Sequence, residues 1–113
     1  MSHHFIALDV AFEFAHQLAP VLITLRRRDR NLEDQLRRAT ASVVLNISEG
    51  DGKSSLRDQA RFFEIARGSC REARAALRLA AMWGHGDEPA VAELDALADR
   101  VCALLSKLIA RAQ

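Results

Sequence analysis

The 113-residue chain has no tyrosine, and its aromatic side chains stop at Phe5, Phe12, Phe14, Phe62, Phe63 and Trp83. A stacking platform for nucleic-acid bases, built from aromatics interleaved with basic residues, is therefore not visible. Only two cysteines occur, Cys70 and Cys102, and no C-x-x-C spacing exists. That rules out a disulfide framework and a thiolate zinc site. Both cysteines fall near apolar stripes, where an inert buried thiol is expected. His3, His4, His16 and His85 form no H-E-x-x-H motif. Glu13-Phe14-Ala15-His16 has the Glu-x-x-His spacing of di-iron bundles, but such a centre needs that spacing on two helices and it occurs once. Ser42, Ser48, Ser54, Ser55 and Ser69 lie in no G-x-S-x-G elbow. Gly50-Asp51-Gly52-Lys53-Ser54 lacks the upstream glycine spacing of a phosphate-binding loop and joins two helical segments. No catalytic residue, metal ligand, cofactor or small-molecule substrate is expected. No apolar run approaches the ~20 residues of a membrane span. Met1-Ser2-His3-His4-Phe5 does not begin a signal peptide, so the expected compartment is the cytoplasm, with no membrane partner.

What is present favours helix. Half of the residues are apolar and 27% are charged; alanine, leucine and arginine dominate. Five glycines and two prolines leave little punctuation, and the apolar helical repeats are separated by three breaks. The spacing predicts a single domain over residues 1–113 with four helices. The first, Phe5 to Leu25, carries the stripe Phe5, Leu8, Phe12, Ala15, Leu18, Leu22 and Leu25, with a kink or break expected near Ala19 because of Pro20. The second starts at Asn31 as N-cap, carries Leu32, Leu36, Ala39, Val43 and Ile47, and stops at Gly50-Asp51-Gly52, where a glycine can turn left-handed. The third, capped by Ser54 or Ser55 and reaching Trp83, carries two stripes. One is Leu56, Ala60, Phe63, Ala66, Cys70, Ala73, Leu77 and Ala80. The other is Phe62, Ile65, Ala76, Leu79 and Trp83, a face wider than one bundle seam needs and suited to a neighbouring subunit. The fourth begins at Asp87, with Pro89 in its first turn, and carries Leu94, Leu97, Val101, Leu104, Leu108 and Ile109. Short loops favour an all-α, antiparallel up-and-down four-helix bundle.

The net charge of +1 hides an uneven spread. Residues 26–78 hold 13 of the 16 basic and 8 of the 15 acidic residues, a local +5, and the remainder is −4. On the third helix Arg57, Arg61, Arg67, Arg71, Arg74 and Arg78 fall within an arc of roughly 140° at 100° per residue, interrupted only by Glu64 and with Gly68 inside it. Guanidiniums in a row suit a phosphate backbone, so RNA or DNA is one candidate partner. The competing reading pairs them with Glu93, Asp95 and Asp99 of the fourth helix or with another subunit, and the missing aromatics favour it. A second basic cluster, Arg26, Arg27, Arg28, Arg30, Arg37 and Arg38, suits nucleic acid or an acidic membrane, and the favoured competing reading is solvation with local pairing to Asp29, Glu33 and Asp34.

The stretch from Gln35 to Lys53, QLRRATASVVLNISEGDGK, resembles the signature Q-L-R-R-A-x-x-S-I-x-x-N-I-A-E-G-x-G-R of the 23S rRNA intervening-sequence (S23) proteins. Phe62, Phe63, Ala66, Gly68, Ser69 and Glu72 resemble that family's F-x-x-F-L-x-x-A-x-G-S-x-x-E, with the two aromatics adjacent here. Val43, Ser48 and Lys53 replace the usual Ile, Ala and Arg. The resemblance spans nearly the whole chain. It implies an antiparallel four-helix bundle assembled into a ring-like homopentamer, and no reaction. A related bundle assists retroelement reverse transcriptases by binding nucleic acid through a basic surface, a fold-level analogy. The expected nucleic-acid-binding residues are Arg37, Arg38, Lys53, Arg57, Arg61, Arg67, Arg71, Arg74 and Arg78. The signature residues Asn46, Glu49, Gly50, Gly52, Gly68, Ser69 and Glu72 are expected to be structural: Asn46 and Glu49 holding the turn or pairing with arginine, Gly68 and Ser69 allowing a close crossing or a subunit contact. The expected function is that of a non-enzymatic oligomer that binds nucleic acid; the alternative is a protein–protein scaffold.

Overall fold

Asp29 interrupts what would otherwise be one very long helix. Its backbone leaves the helical region (φ −154°, ψ 88°), and its side chain accepts from the Leu32 backbone N–H at 3.0 Å. That cap starts α2 one residue after α1 ends, displacing the expected Asn31: an aspartate at the corner satisfies an orphan helix donor and favours the positive end of the dipole. The structure, a computed structural model, describes residues 3–113, with side chains from residue 6. The terminal Met1 and Ser2, and the side chains of His3, His4 and Phe5 to which expectations were attached, lie outside the described residues.

Four helices and no strand make up the described residues: α1 (His3–Arg28), α2 (Arg30–Asp51), α3 (Leu56–Met82) and α4 (Glu88–Ala110). Helix α1 packs on α2 and α4, and α3 packs on the same two, giving an all-α bundle 43 Å long and about 20 Å thick. Helix α1 is unbroken through Pro20, contrary to expectation. Ala19 and Pro20 are exposed, so water can take over the hydrogen bond that proline cannot donate. Thr24 adds a bond from its hydroxyl to the Pro20 carbonyl at 3.2 Å. Although no apolar run is long, α1 over Ile6–Arg28 is long and apolar enough to cross a membrane by length and composition. Asp9, Glu13, His16 and Gln17 interrupt it, and its inner face is buried in the bundle.

That inner face keeps Leu18 and Leu25 of the expected stripe and replaces the rest. Ala7, Val10, Ala11, Phe14, Leu18 and Leu25 are buried, Leu8 and Leu22 are half-buried, and Phe12 is 55% exposed. Apolar residues lie on both sides of this helix, so periodicity alone allows two rotations; the buried set follows the tighter seven-residue repeat. Helix α2 buries all five expected residues, and α3 buries its first stripe except Leu56. Helix α4 buries Val91, Leu94, Ala98, Val101, Cys102, Leu105, Leu108 and Ile109, with Leu97 and Leu104 at the margin. The inner face of α3 is mostly small: Ala60, Ala66, Cys70, Ala73, Ala76 and Ala80 around Phe63 and Leu77. Small side chains let neighbouring helices approach, and Phe14, Leu18, Leu36 and Leu105 fill the space between.

The ends differ in chemistry. Ser55 caps α3 by accepting from the Asp58 N–H at 3.1 Å, and Gln59 closes the α2–α3 turn with a bond to the Lys53 carbonyl at 3.0 Å. Helix α2 does not end left-handed. Gly52 has φ −80° and donates to Ser48 and Glu49, so the last turn simply tightens. The left-handed terminator is Gly84 (φ 75°) after α3. There His85 N–H reaches Ala80 O at 2.8 Å and Gly84 N–H reaches Ala81 O at 3.1 Å, the paired bonds of a Schellman end. Arg28 donates to the Gly84 carbonyl at 3.2 Å, and His85 lies 4.0 Å from Asp29, so the α1–α2 corner and the α3–α4 loop meet at one end.

Gly50 serves space, not torsion. A methyl group there would sit 2.6 Å and 2.9 Å from two atoms of the buried Phe63 ring and 3.2 Å from the Gln59 carbonyl. Gly50→Ala is expected to cost about 1–3 kcal/mol by overpacking. Gly52→Ala, whose nearest contact would be an ordinary 3.6 Å, is expected to be neutral or slightly stabilising. Urea titrations of the two variants check the contrast.

Candidate nucleic-acid interface

Helix α3 does not present its arginines as one equivalent row. Two are committed to α4. Arg74 grips Asp95 through Nε (2.8 Å) and Nη2 (3.1 Å) and reaches Asp99 through Nη1 (3.1 Å). Arg67 donates to the Ser106 hydroxyl at 3.1 Å. Arg57, Arg61, Arg71 and Arg78 are exposed and make no ion pair among the described residues. The pairing expected with α4 therefore holds for Arg74, with Arg67 hydrogen-bonded to Ser106; Arg71 and Arg78 face the same α3–α4 groove without an ion pair, and Arg78 helps to hold the Asp95 carboxyl down. Arg57 and Arg78 lie 21 residues apart, roughly 31 Å along the axis.

Arg37 and Arg38 of α2 are neutralised locally. Arg37 pairs with Asp34 at 2.7 Å and with Glu33 at 3.4 Å, and Arg38 pairs with Asp34 at 3.0 Å, all within one or two turns. Glu33 is buried, and this contact to Arg37 is the one ionic partner of its Oε2, which accepts no hydrogen bond among the described residues. Lys53 pairs with Glu49 at 3.6 Å and lies 5.2 Å above the Phe62 ring. Five of the nine expected phosphate-binding residues thus have protein partners.

The signature residues serve the α2–α3 contact. Ser42 and Ser69 share a 2.7 Å hydroxyl bond across the two helices. Asn46 donates to the Ser42 carbonyl (2.9 Å) and hydroxyl (3.1 Å), fixing that hydroxyl's position. Asn46 therefore braces the helix crossing, not the turn, and Glu49 holds Lys53, not an arginine. Ser69 justifies its small size by this contact. Gly68 does not: it is exposed, and a methyl group there would meet nothing within 4 Å. Glu72 lines a shallow groove with Gln35, Arg38, Ala75, Ala76 and Leu79.

The α3–α4 seam holds what the sequence reading undervalued. Cys70 donates to the Ala98 carbonyl at 3.2 Å and also lies within hydrogen-bonding reach of Cys102. The Cys70 S–H and the neighbouring Arg74 and Arg71 guanidiniums hold the Cys102 thiol down to about 6 against the cost of burial. The Cys70 thiol is pushed up by that same bond and by burial. Arg74, whose pKa is itself raised by its bond to Asp95, holds the Asp95 carboxyl below the usual carboxylate range. Both cysteines are free and buried, as expected. Next to this cluster a groove of about 680 Å³ runs between α3 and α4. Arg71, Arg74 and Arg78 line its rim with Glu88 and Asp95, and Leu77, Ala81 and Val91 line its floor.

Residues 4–107 match the family described as 23S rRNA-intervening sequence protein. The chain belongs to that family. A solved structure shares the fold of this intervening-sequence protein: a protein of unknown function from the S23 ribosomal protein family of Bacteroides thetaiotaomicron. It superposes with a TM-score of 0.89 at 19% identity, over 96% of this chain and 99% of that one. No curated protein matches. In this intervening-sequence protein the recognised signature thus maps onto a helix crossing, and the unclaimed charge lies on the outer edge of α3.

The Arg74–Asp95 pair carries a pH signature. The Asp95 carboxyl titrates lower in the folded chain than in the unfolded one. Its contribution is complete at neutral pH and fades as pH falls below about 4. Both side chains are partly exposed, so Asp95→Asn is expected to cost only about 1 kcal/mol at pH 7, a difference that shrinks on acidification. Thermal melts of the two proteins at pH 7 and pH 3 test this.

Proposed function

We propose that this intervening-sequence protein acts by binding and not by catalysis. It works in the cytoplasm as a homo-oligomer, a pentamer as the family resemblance implies, of single-domain, antiparallel up-and-down bundles. Each bundle offers the phosphate backbone of RNA or DNA the free arginine edge of α3. The observation that carries the reading is the exposure of Arg57, Arg61, Arg71 and Arg78 without ion pairs among the described residues, on a helix whose other arginines are all engaged. A ring repeats that edge, so weak contacts add as avidity. No cofactor or small-molecule substrate enters this reading. The meeting of the α1–α2 corner with the α3–α4 loop supports the up-and-down arrangement. Self-association is supported by Gly68, a mid-helix glycine that nothing in the protomer requires, and by the outward Ile65, Leu79, Met82 and Trp83. The same apolar residues favour a second reading, a scaffold that docks another protein.

Fluorescence anisotropy with mixed-sequence RNA and DNA across a salt series separates the two. Phosphate binding is expected to weaken steeply with salt, and replacing Arg57, Arg61, Arg71 and Arg78 by Glu is expected to abolish it in a protein that keeps its helical signal and mass. Absence of binding even at low salt sinks the nucleic-acid reading. For the oligomer, Gly68→Ala is decisive. In a free protomer the alanine should stabilise α3 by about 1 kcal/mol. Where a second copy covers the site, sedimentation should show a weakened assembly beside a more stable helix.

A further inference from the structure

The groove between α3 and α4 has two walls of opposite charge over an apolar floor. Arg71, Arg74 and Arg78 stand on the α3 wall, and Glu88 and Asp95 on the α4 wall, with Leu77 and Val91 beneath them. At about 680 Å³ its volume is that of a small-ligand pocket. Its charges are not all spent on one another. Arg71, Arg78 and Glu88 are exposed and make no ion pair or hydrogen bond among the described residues. Arg71 and Arg78 lie seven residues apart, roughly 10 Å along the axis. Arg74, between them, is held differently. Its Nε, Nη1 and Nη2 all donate to Asp95 and Asp99, at 2.8 to 3.1 Å. A guanidinium whose edge is so occupied has its flat faces left to offer.

Building on the nucleic-acid reading of α3, we propose that this groove seats one unpaired base of a single-stranded nucleic acid, with the flanking phosphates on Arg71 and Arg78. Each part of the groove meets one part of a nucleotide. The two free guanidiniums suit phosphate oxygens, which they grip through their planar fork. The flat face of Arg74 suits a base ring, since guanidinium planes stack on unpaired bases. The apolar floor removes that ring from water. On the opposite wall the Glu88 carboxylate accepts from an exocyclic amine, as acidic side chains do from cytosine. The same wall repels phosphate, so the base enters the groove and the backbone stays on the arginine rim.

Shape excludes a duplex from this seat. The groove is concave, whereas base edges in a duplex are recessed in grooves of their own and are read by elements that protrude. Only a base released from pairing reaches the floor, and its amine is then free to meet Glu88. The acids of the α4 wall likewise tell against an acidic peptide. One arginine face beside an apolar floor stacks a single base, which fits a surface that lacks a row of aromatics. On one side of the seated base, Arg57 and Arg61 continue along α3 to meet further phosphates.

The test is fluorescence anisotropy on the full chain at one low salt concentration, with three probes of equal length. They are a mixed-sequence single strand, the same strand annealed to its complement, and a strand of abasic sugar-phosphates. The single strand is expected to bind about tenfold more tightly than the abasic strand, the worth of one stacked base, and more tightly than the duplex despite the duplex's denser charge. Ala92→Trp, at an exposed position lining the groove, fills the seat without touching a charge. It is expected to bring the single strand down to the abasic level, with thermal melt and sedimentation unchanged. Glu88→Gln, whose amide donates as readily as it accepts, is expected to erase a preference for oligo-cytidine over oligo-uridine. Equal binding of the intact and abasic strands overturns the base seat while leaving phosphate binding by α3 intact. A duplex that binds more tightly than the single strand does the same, as does a single-strand advantage that survives Ala92→Trp. Failure of all three probes to bind removes the phosphate reading and the seat together.

Discussion

The bundle depends on how thin α3 is on its inner side. Five of the eight buried residues of that helix are alanines, and one more is a cysteine. A helix so lined can be approached closely from two sides, and the polar contacts of the molecule follow. Ser42 meets Ser69 on the α2 side, and Cys70 meets the Ala98 carbonyl on the α4 side, both at hydrogen-bonding distance. With leucines in place of the alanines, the axes would separate and these short side chains would no longer touch. The α2 contact then carries the family signature, and the α4 contact carries the arginine and sulfur chemistry.

Most of the architecture was legible because α2, α3 and α4 each alternate apolar and charged faces with little ambiguity. The stripe Leu32, Leu36, Ala39, Val43 and Ile47 admits one rotation, and that rotation is the buried one. Helix α1 was misjudged because Phe12 and Ile23 on its outer side are as apolar as Phe14 and Leu18 on its inner side, and only packing decides between them. The α2 cap was displaced because Asp29 and Asn31 are both competent caps, and the local sequence does not say which will leave the helix. Sequence-based reading of the site reached the arginines but could not divide them. Whether Arg67 or Arg71 faces α4 depends on a rotation of about 40° in the crossing of two helices. That Cys70 and Cys102 share the α3–α4 seam escaped the sequence for a related reason. Cys70 and Cys102 are almost equally far from the α3–α4 loop, the one signal that they face each other, and spacing motifs do not register it.

The distribution of charge takes on meaning when the pairs are removed. Arg37, Arg38, Lys53 and Arg74 each face a carboxylate, most of them within a few residues of sequence. Among the described residues without an ion pair are Arg57, Arg61, Arg71 and Arg78 of α3, Arg26, Arg27 and Arg30 at the α1–α2 corner, and Arg100, Lys107 and Arg111 of α4.

Gly50 and Phe63 amount to one side chain shared between two helices. The ring occupies the volume that a Cβ at position 50 would take, so neither position varies on its own. A smaller residue at 63 opens room at 50, and a larger one at 50 evicts the ring from the core. Substitutions at the two sites are thus bound to be non-additive.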